Sequence, residues 1–151
     1  ERAYLSENSK KNAIEKLKMA AVLQFTLPGV PCIYYGDENG MEGHIDPFCR
    51  QCFDWEHLNK DLIGFYQKLG EIRKKYRYIF QDGNFEEIQT EDGFIYYKRE
   101  KENQAIYIYT NNSEKSYLLK LNETYVDCLN EEIFENYMEI KPNSFRIFIK
   151  N

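Results

Sequence analysis

Leu27-Pro28-Gly29-Val30-Pro31-Cys32-Ile33-Tyr34-Tyr35-Gly36-Asp37-Glu38-Asn39-Gly40-Met41, continued by Glu42-Gly43-His44-Ile45-Asp46-Pro47-Phe48-Cys49-Arg50, is the stretch that decides the fold. Pro28 and Gly29 stop whatever precedes them. Residues 30–35 are short, apolar and rich in β-branched and aromatic side chains, the pattern of a strand buried on both faces of a parallel sheet. Polar and flexible residues begin abruptly at Gly36. In α/β proteins ligands bind at the carboxyl end of such a strand, so residues 36–50 are the candidate functional loop.

On either side of this stretch the period changes to that of a helix. Ile14, Leu17, Ala21 and Phe25 recur at spacings of three and four and predict a helix over 8–25, with Ser9 or Asn12 as cap. Leu62, Phe65, Leu69, Ile72 and Tyr76 predict a second helix over 60–76, capped by Asn59. A buried strand between two helices needs strands beside it, because its backbone groups must be paired. The sequence supplies no other strand of that type. The better reading is a piece of a larger sheet; pairing with a second copy is the other.

After Tyr76 the period drops to two. Residues 83–89, 94–99, 105–110 and 117–121 alternate between breaks at Glu91-Asp92-Gly93, 100–103 and Asn111-Asn112-Ser113. Shorter strands are expected over 125–129, 133–135, 138–140 and 144–150. This spacing predicts an all-β sandwich or meander, with the boundary near Arg77.

Composition narrows the function classes. A net charge of -5 disfavours nucleic acid and anionic membranes as partners. No apolar run approaches the roughly 20 residues of a membrane span, and no signal peptide precedes the first helix, although Glu1 is not a Met. Four scattered Cys are too few for a disulfide scaffold and point to a reducing, cytoplasmic compartment.

The segment GVPCIYYGDENGMEGHIDPFCRQCFDW resembles the last barrel strand and following loop of the α-amylase superfamily of glycoside hydrolases. It is closest to the neopullulanase and cyclomaltodextrinase group, with its G-x-P-x-I-Y-Y-G-D-E-x-G-M…D-P-x-x-R…W pattern. Phe53 stands where that group usually has Met, a mild departure. The resemblance implies an α+β fragment: the last helix–strand–helix of a TIM (β/α)8 barrel over 1–77, then an antiparallel β-sandwich over 78–151. It also implies a parent that hydrolyses α-1,4 or α-1,6 glucans (cyclomaltodextrins, pullulan or maltooligosaccharides) by a retaining mechanism. The family's three catalytic carboxylates lie on earlier strands. By that alignment this chain starts after the last of them, so no catalytic residue and no independent activity are expected here. No cofactor is implied; calcium stays open for the longer enzyme.

The resemblance assigns Asp46 and Arg50 of D-P-x-x-R to hydroxyls of the substrate's glucose units. A carboxylate that accepts and a guanidinium that donates suit vicinal hydroxyls. The plain alternative is an ion pair that only shapes the loop. Asp37 and Glu38 are adjacent, so on a strand they point to opposite faces and make a poor nucleophile–acid pair, which needs carboxyls ~5–5.5 Å apart. They are expected to support the pocket, and Trp55 to anchor the loop. His44, Cys49, Cys52 and His57 would suit a zinc site by residue type, but the spacing is not that of a finger, and no metal site is assigned. Cys32 and Cys128 read as small buried residues, Tyr96, Tyr97, Tyr107 and Tyr109 as core, and Lys98, Arg99 and Lys101 as a solvated turn.

Two alternatives to the enzyme fragment are a glycan- or partner-binding β-domain without chemistry and a metal or thiol site at the C-x-x-C. The fragment reading further predicts exposed apolar side chains in the helix–strand–helix half, and with them self-association.

Overall fold

The computed structural model describes residues 7–43, 45–47 and 49–151, the side chain of Glu7 aside. The first helix, α1 (Glu7–Thr26), buries Ala21, Val22 and Phe25, with Ile14 and Leu17 packed alongside. It runs through Ser9 and Asn12, so neither caps it; Lys10, Lys11 and Ala13 around them favour helix, and the turn continues. Pro28 follows its end by two residues, as the sequence predicts.

Residues 30–35 form no strand. Val30 is 90% exposed, and Ile33, Tyr34 and Tyr35 are also exposed. The reason is the one that made this strand dependent on neighbours: among the described residues every strand pairs within antiparallel sheets of the second half. Cys32, expected inside, is exposed for the same reason.

The next helix, α2 (Lys60–Lys75), starts where Asn59 Oδ1 accepts from the Leu62 amide at 3.1 Å. It buries Leu62, Tyr66, Leu69 and Ile72, and ends on Arg73, Lys74 and Lys75, cations that suit the negative end of a helix. A short helix, α3 (Arg77–Asp82), then buries Ile79 and Phe80. The sequence reading missed it, because six residues are too few to show a period.

Eight strands follow: β1 (Asn84–Glu91), β2 (Phe94–Lys101), β3 (Gln104–Asn111), β4 (Tyr117–Lys120), β5 (Tyr125–Asp127), β6 (Ile133–Phe134), β7 (Tyr137–Ile140) and β8 (Ser144–Lys150). Two-residue turns at Asp92-Gly93 and Glu102-Asn103 fix the first two hairpins. Gly93, the second residue of its turn, and Glu102, the first of its own, have positive φ. Six strands form one antiparallel sheet in the order β1-β2-β3-β8-β5-β6, and β4 with β7 forms a second. Strand β1 lies at an edge, is exposed along its whole length and carries a register shift between Glu87 and Gln89.

The alternation sends each central strand's side chains into two cores. Tyr97, Ile106, Ile108 and Ile147 pack with α1, α2 and α3. Phe94, Tyr96, Tyr109 and Phe148 pack with Met138 and Ile140 of the small sheet. Helices and sheet therefore share one core across Arg77.

Arg99 is the main departure on this face. It lies mid-strand in β2 and is 2% exposed, not in a solvated turn. Being two residues after Tyr97, it shares that residue's helix-facing side. Its neighbour Lys98, on the other face, pairs with Glu86 at 3.2 Å and Glu100 at 2.7 Å.

Candidate functional site

The loop after residue 35 is built on one turn. Gly36 (φ 93°) and Gly40 (φ 66°) flank a single 3-10 turn, Asp37–Asn39. Glu38 and Asp37 thus sit on a turn and not on the end of a strand. The Glu38 carboxylate accepts from the Gly36 amide at 3.0 Å, closing the turn on itself. Glycine is needed at 40 twice over: the backbone is left-handed, and a Cβ would lie 2.7 Å from Ile14 Cδ1 and 3.2 Å from Leu62 Cδ2. The turn is therefore wedged between α1 and α2.

Asn39, which the sequence reading passed over, holds the base of the loop. It is 7% exposed. Its Oδ1 accepts from the Asn59 amide at 2.6 Å, and its Nδ2 donates to the carbonyls of Asp54 (3.3 Å) and His57 (3.4 Å). Both ends of residues 39–59 are thereby clamped by one side chain, and Asn59 passes the constraint to α2 by capping it. The available signal was a lone amide between two turn glycines, beside apolar helices. Further out, Tyr35 donates to the Gln51 carbonyl at 2.9 Å, Gln51 donates to the Glu42 carbonyl at 2.6 Å, and Lys10 of α1 pairs with Glu42 at 3.1 Å.

The sequence-assigned pair meets. Arg50 Nε lies 2.7 Å from Asp46 Oδ1 and its Nη2 3.1 Å from Oδ2, a two-pronged ion pair. The Arg50 amide also donates to the Pro47 carbonyl at 3.1 Å. Both side chains are more than half exposed, so the pair faces solvent. Two of five guanidinium N–H groups are used, leaving donors beside a carboxylate with spare acceptor capacity.

Asp54 accepts from the amides of His57 and Glu56, each at 3.1 Å, and faces the His57 ring at 3.1 Å. The His57 amide is the main cause that holds its carboxyl below the ordinary carboxylate range. Trp55 is 76% exposed and touches Phe53 ring to ring at 4.6 Å. Among the described residues, Phe53 is the aromatic ring that Trp55 packs on. Cys49 and Cys52 are unbridged, and His44 lies outside the described residues. Among the described residues no three His, Cys, Asp or Glu side chains converge on a metal position. Cys128 is half-buried, and burial pushes its thiol up to about 11.

Residues 2–111 match the family described as alpha amylase, catalytic domain. The chain belongs to the α-amylase family. A second description, the beta-galactosidase C-terminal domain, matches residues 96–149. A cyclomaltodextrinase of Thermoanaerobacter pseudethanolicus is 40% identical over 112 residues, 73% of this chain and 19% of the relative. A maltogenic alpha-amylase of Bacillus acidopullulyticus is 33% identical, over 89% of this chain and 25% of its own length. Among solved structures, a maltogenic amylase from S. marinus superposes with a TM-score of 0.75 at 32% identity, covering 89% of this chain and 19% of that one. An Anoxybacillus alpha-amylase superposes with a TM-score of 0.81 at 26% identity, covering 91% of this chain and 32% of that one. This α-amylase family chain thus spans about a fifth to a quarter of the length of these curated relatives. Its neighbours support the fold class read from the sequence, a barrel end followed by an antiparallel β-domain.

Proposed function

We propose that this chain is the C-terminal portion of a retaining glycosidase acting on α-glucans, and that it lends substrate contacts through Asp46 and Arg50 while other parts supply the bond-breaking carboxylates. The observation that carries the reading is the exposed, two-pronged Asp46–Arg50 pair, held out on a loop whose base is clamped by Asn39. Such a pair offers a planar set of donors beside acceptors, matched to adjacent sugar hydroxyls. The names of the relatives, cyclomaltodextrinase and maltogenic alpha-amylase, support cyclomaltodextrins and maltooligosaccharides as the substrate class. Asp37 and Glu38 shape the turn that opens the same loop, and Trp55 is assigned a supporting role further along it. The division of labour falls near Arg77, with residues 1–77 completing a barrel and 78–151 forming the β-domain.

A purely glycan-binding β-domain is less favoured, since Tyr96, Tyr97 and Tyr109 are buried and unavailable for stacking on sugars. No helix among the described residues is long and apolar enough to cross a membrane. Bacillus subtilis relatives named intracellular maltogenic amylase support a cytoplasmic setting.

Calorimetric titration of maltotriose into the chain and into Arg50→Ala tests the reading. We expect heat of binding in the first and a loss of at least tenfold in affinity in the second, the scale of one charge-assisted contact. Equal affinity in both would remove the pair from sugar recognition. Release of maltose from a cyclomaltodextrin by the chain alone would overturn its non-catalytic role.

A further inference from the structure

The end of α1 is held by side chains from outside it. The last carbonyls of a helix have no partner within it. Here Arg73 of α2 donates to the Phe25 carbonyl at 2.6 Å and also to that of Gly29. Arg99 of β2 donates to the Thr26 carbonyl at 3.2 Å. The same guanidinium reaches the carbonyls of Phe80 at 3.1 Å and Gly83 at 3.0 Å, so it closes the end of α3 as well. Its Nε is buried without a partner among the described residues, a cost accepted for the reach of the two outer nitrogens.

A second bond runs through the same point. The Thr26 hydroxyl lies 2.5 Å from the Val22 carbonyl and 2.6 Å from the Tyr97 hydroxyl. A carbonyl only accepts, so Thr26 spends its proton there and Tyr97 is the donor to Thr26. All three side chains are buried: Thr26 at 1%, Tyr97 at 0% and Arg99 at 2% exposure. Tyr97 sits in the middle of β2 with β1 on one side and β3 on the other, a rigid mount. Phe80 fills the space between the two arginines, its ring 5.5 Å from Arg73 and 5.9 Å from Arg99.

We propose that Tyr97, Arg99 and Arg73 are positioning residues through which the β-sheet fixes the exit of α1 and, with it, the loop that carries Asp46 and Arg50. Residues 27–35 leave this node without a ladder to guide them, and the Gly36–Gly40 turn is wedged on α1 and α2 themselves. Where the helices sit on the sheet therefore decides where the loop sits. A lysine at 99 keeps the charge but has one head group, which cannot hold Thr26 and Phe80 together. The consequence for sugar contact rests on the function proposed above; the mechanical coupling does not.

Amide hydrogen exchange on the whole chain tests it, comparing wild type, Tyr97→Phe and Arg99→Lys. Tyr97→Phe removes one hydroxyl without opening a cavity, so it keeps the test alive where Arg99→Lys fails to fold. Both are expected to speed exchange at the Leu27, Asp37, Gly40 and Met41 amides by about fivefold, the size of one net hydrogen bond, and to leave β3 and β8 unchanged. Unchanged loop amides, or loop and sheet amides accelerated by one common factor, would overturn the coupling. Maltotriose titration of Tyr97→Phe adds the functional arm: a weaker affinity with an unchanged sheet supports positioning, and wild-type affinity despite a loosened loop overturns the link to the sugar pair. A wild-type chain that takes no maltotriose would defeat the proposed function, while the exchange pattern would still decide the coupling.

Discussion

The central strands of the sheet and the stretch from 30 to 58 treat apolar side chains in opposite ways. In the β-half, Tyr97, Ile108, Tyr109, Ile147 and Phe148 are all at most 1% exposed, because each central strand is covered on both faces by elements of this same chain. Between residues 30 and 58, Val30, Ile33, Tyr34, Tyr35, Ile45, Trp55 and Leu58 are exposed. The sequence of 30–35 is as apolar as any strand in the sheet. What separates them is company: burial follows from having a neighbour on each side, and local composition does not supply one.

This contrast can be broken by mutation. The largest effect is expected at Ile108, where Ile108→Ala should cost about 2–5 kcal/mol by denaturant unfolding. Val30→Ala, an equally apolar truncation at a 90% exposed position, should move the midpoint by less than about 0.5 kcal/mol. Comparable losses at both sites would mean that 30–35 is covered in solution. Between these extremes lies Gly40→Ala. A left-handed backbone and contact with Ile14 and Leu62 should together cost about 1–3 kcal/mol, and the Met41 and Asn59 amides should lose exchange protection first. The smallest effect concerns pH. The Asp54 carboxyl titrates below its ordinary 3.8, chiefly because of the His57 amide. Its contribution is thus complete above about pH 4 and is lost as pH falls through its own lowered value. NMR shifts of the His57 and Glu56 amides should follow that single carboxyl titration, and Asp54→Asn should abolish the step.

How much of this was legible in the sequence follows the same division. The period-two runs from β1 to β8, the two tight hairpin turns and the Asn59 cap are local signals, and each appears where the alternation or the cap chemistry puts it. Asp46 and Arg50 are also local, four residues apart, and they meet. Arg99 was misread by residue type, although counting in twos from Tyr97 places it on the helix side. Cys32 was misread because its burial depended on a wall that these residues do not encode. Asn39 was missed because its partners Asp54, His57 and Asn59 lie 15 to 20 residues away, beyond any periodic window.

The edge strand β1 has its own consequence. Its free backbone is the kind of surface that recruits foreign strands into growing aggregates. The register shift between Glu87 and Gln89 breaks its flatness, and Glu86, Glu87 and Glu91 would set carboxylates against any copy of the same strand. At the opposite edge, β6 offers only two residues. Both margins of this sheet thus resist templated growth, and the uncovered side chains of 30–58 are the larger apolar surface left open to association.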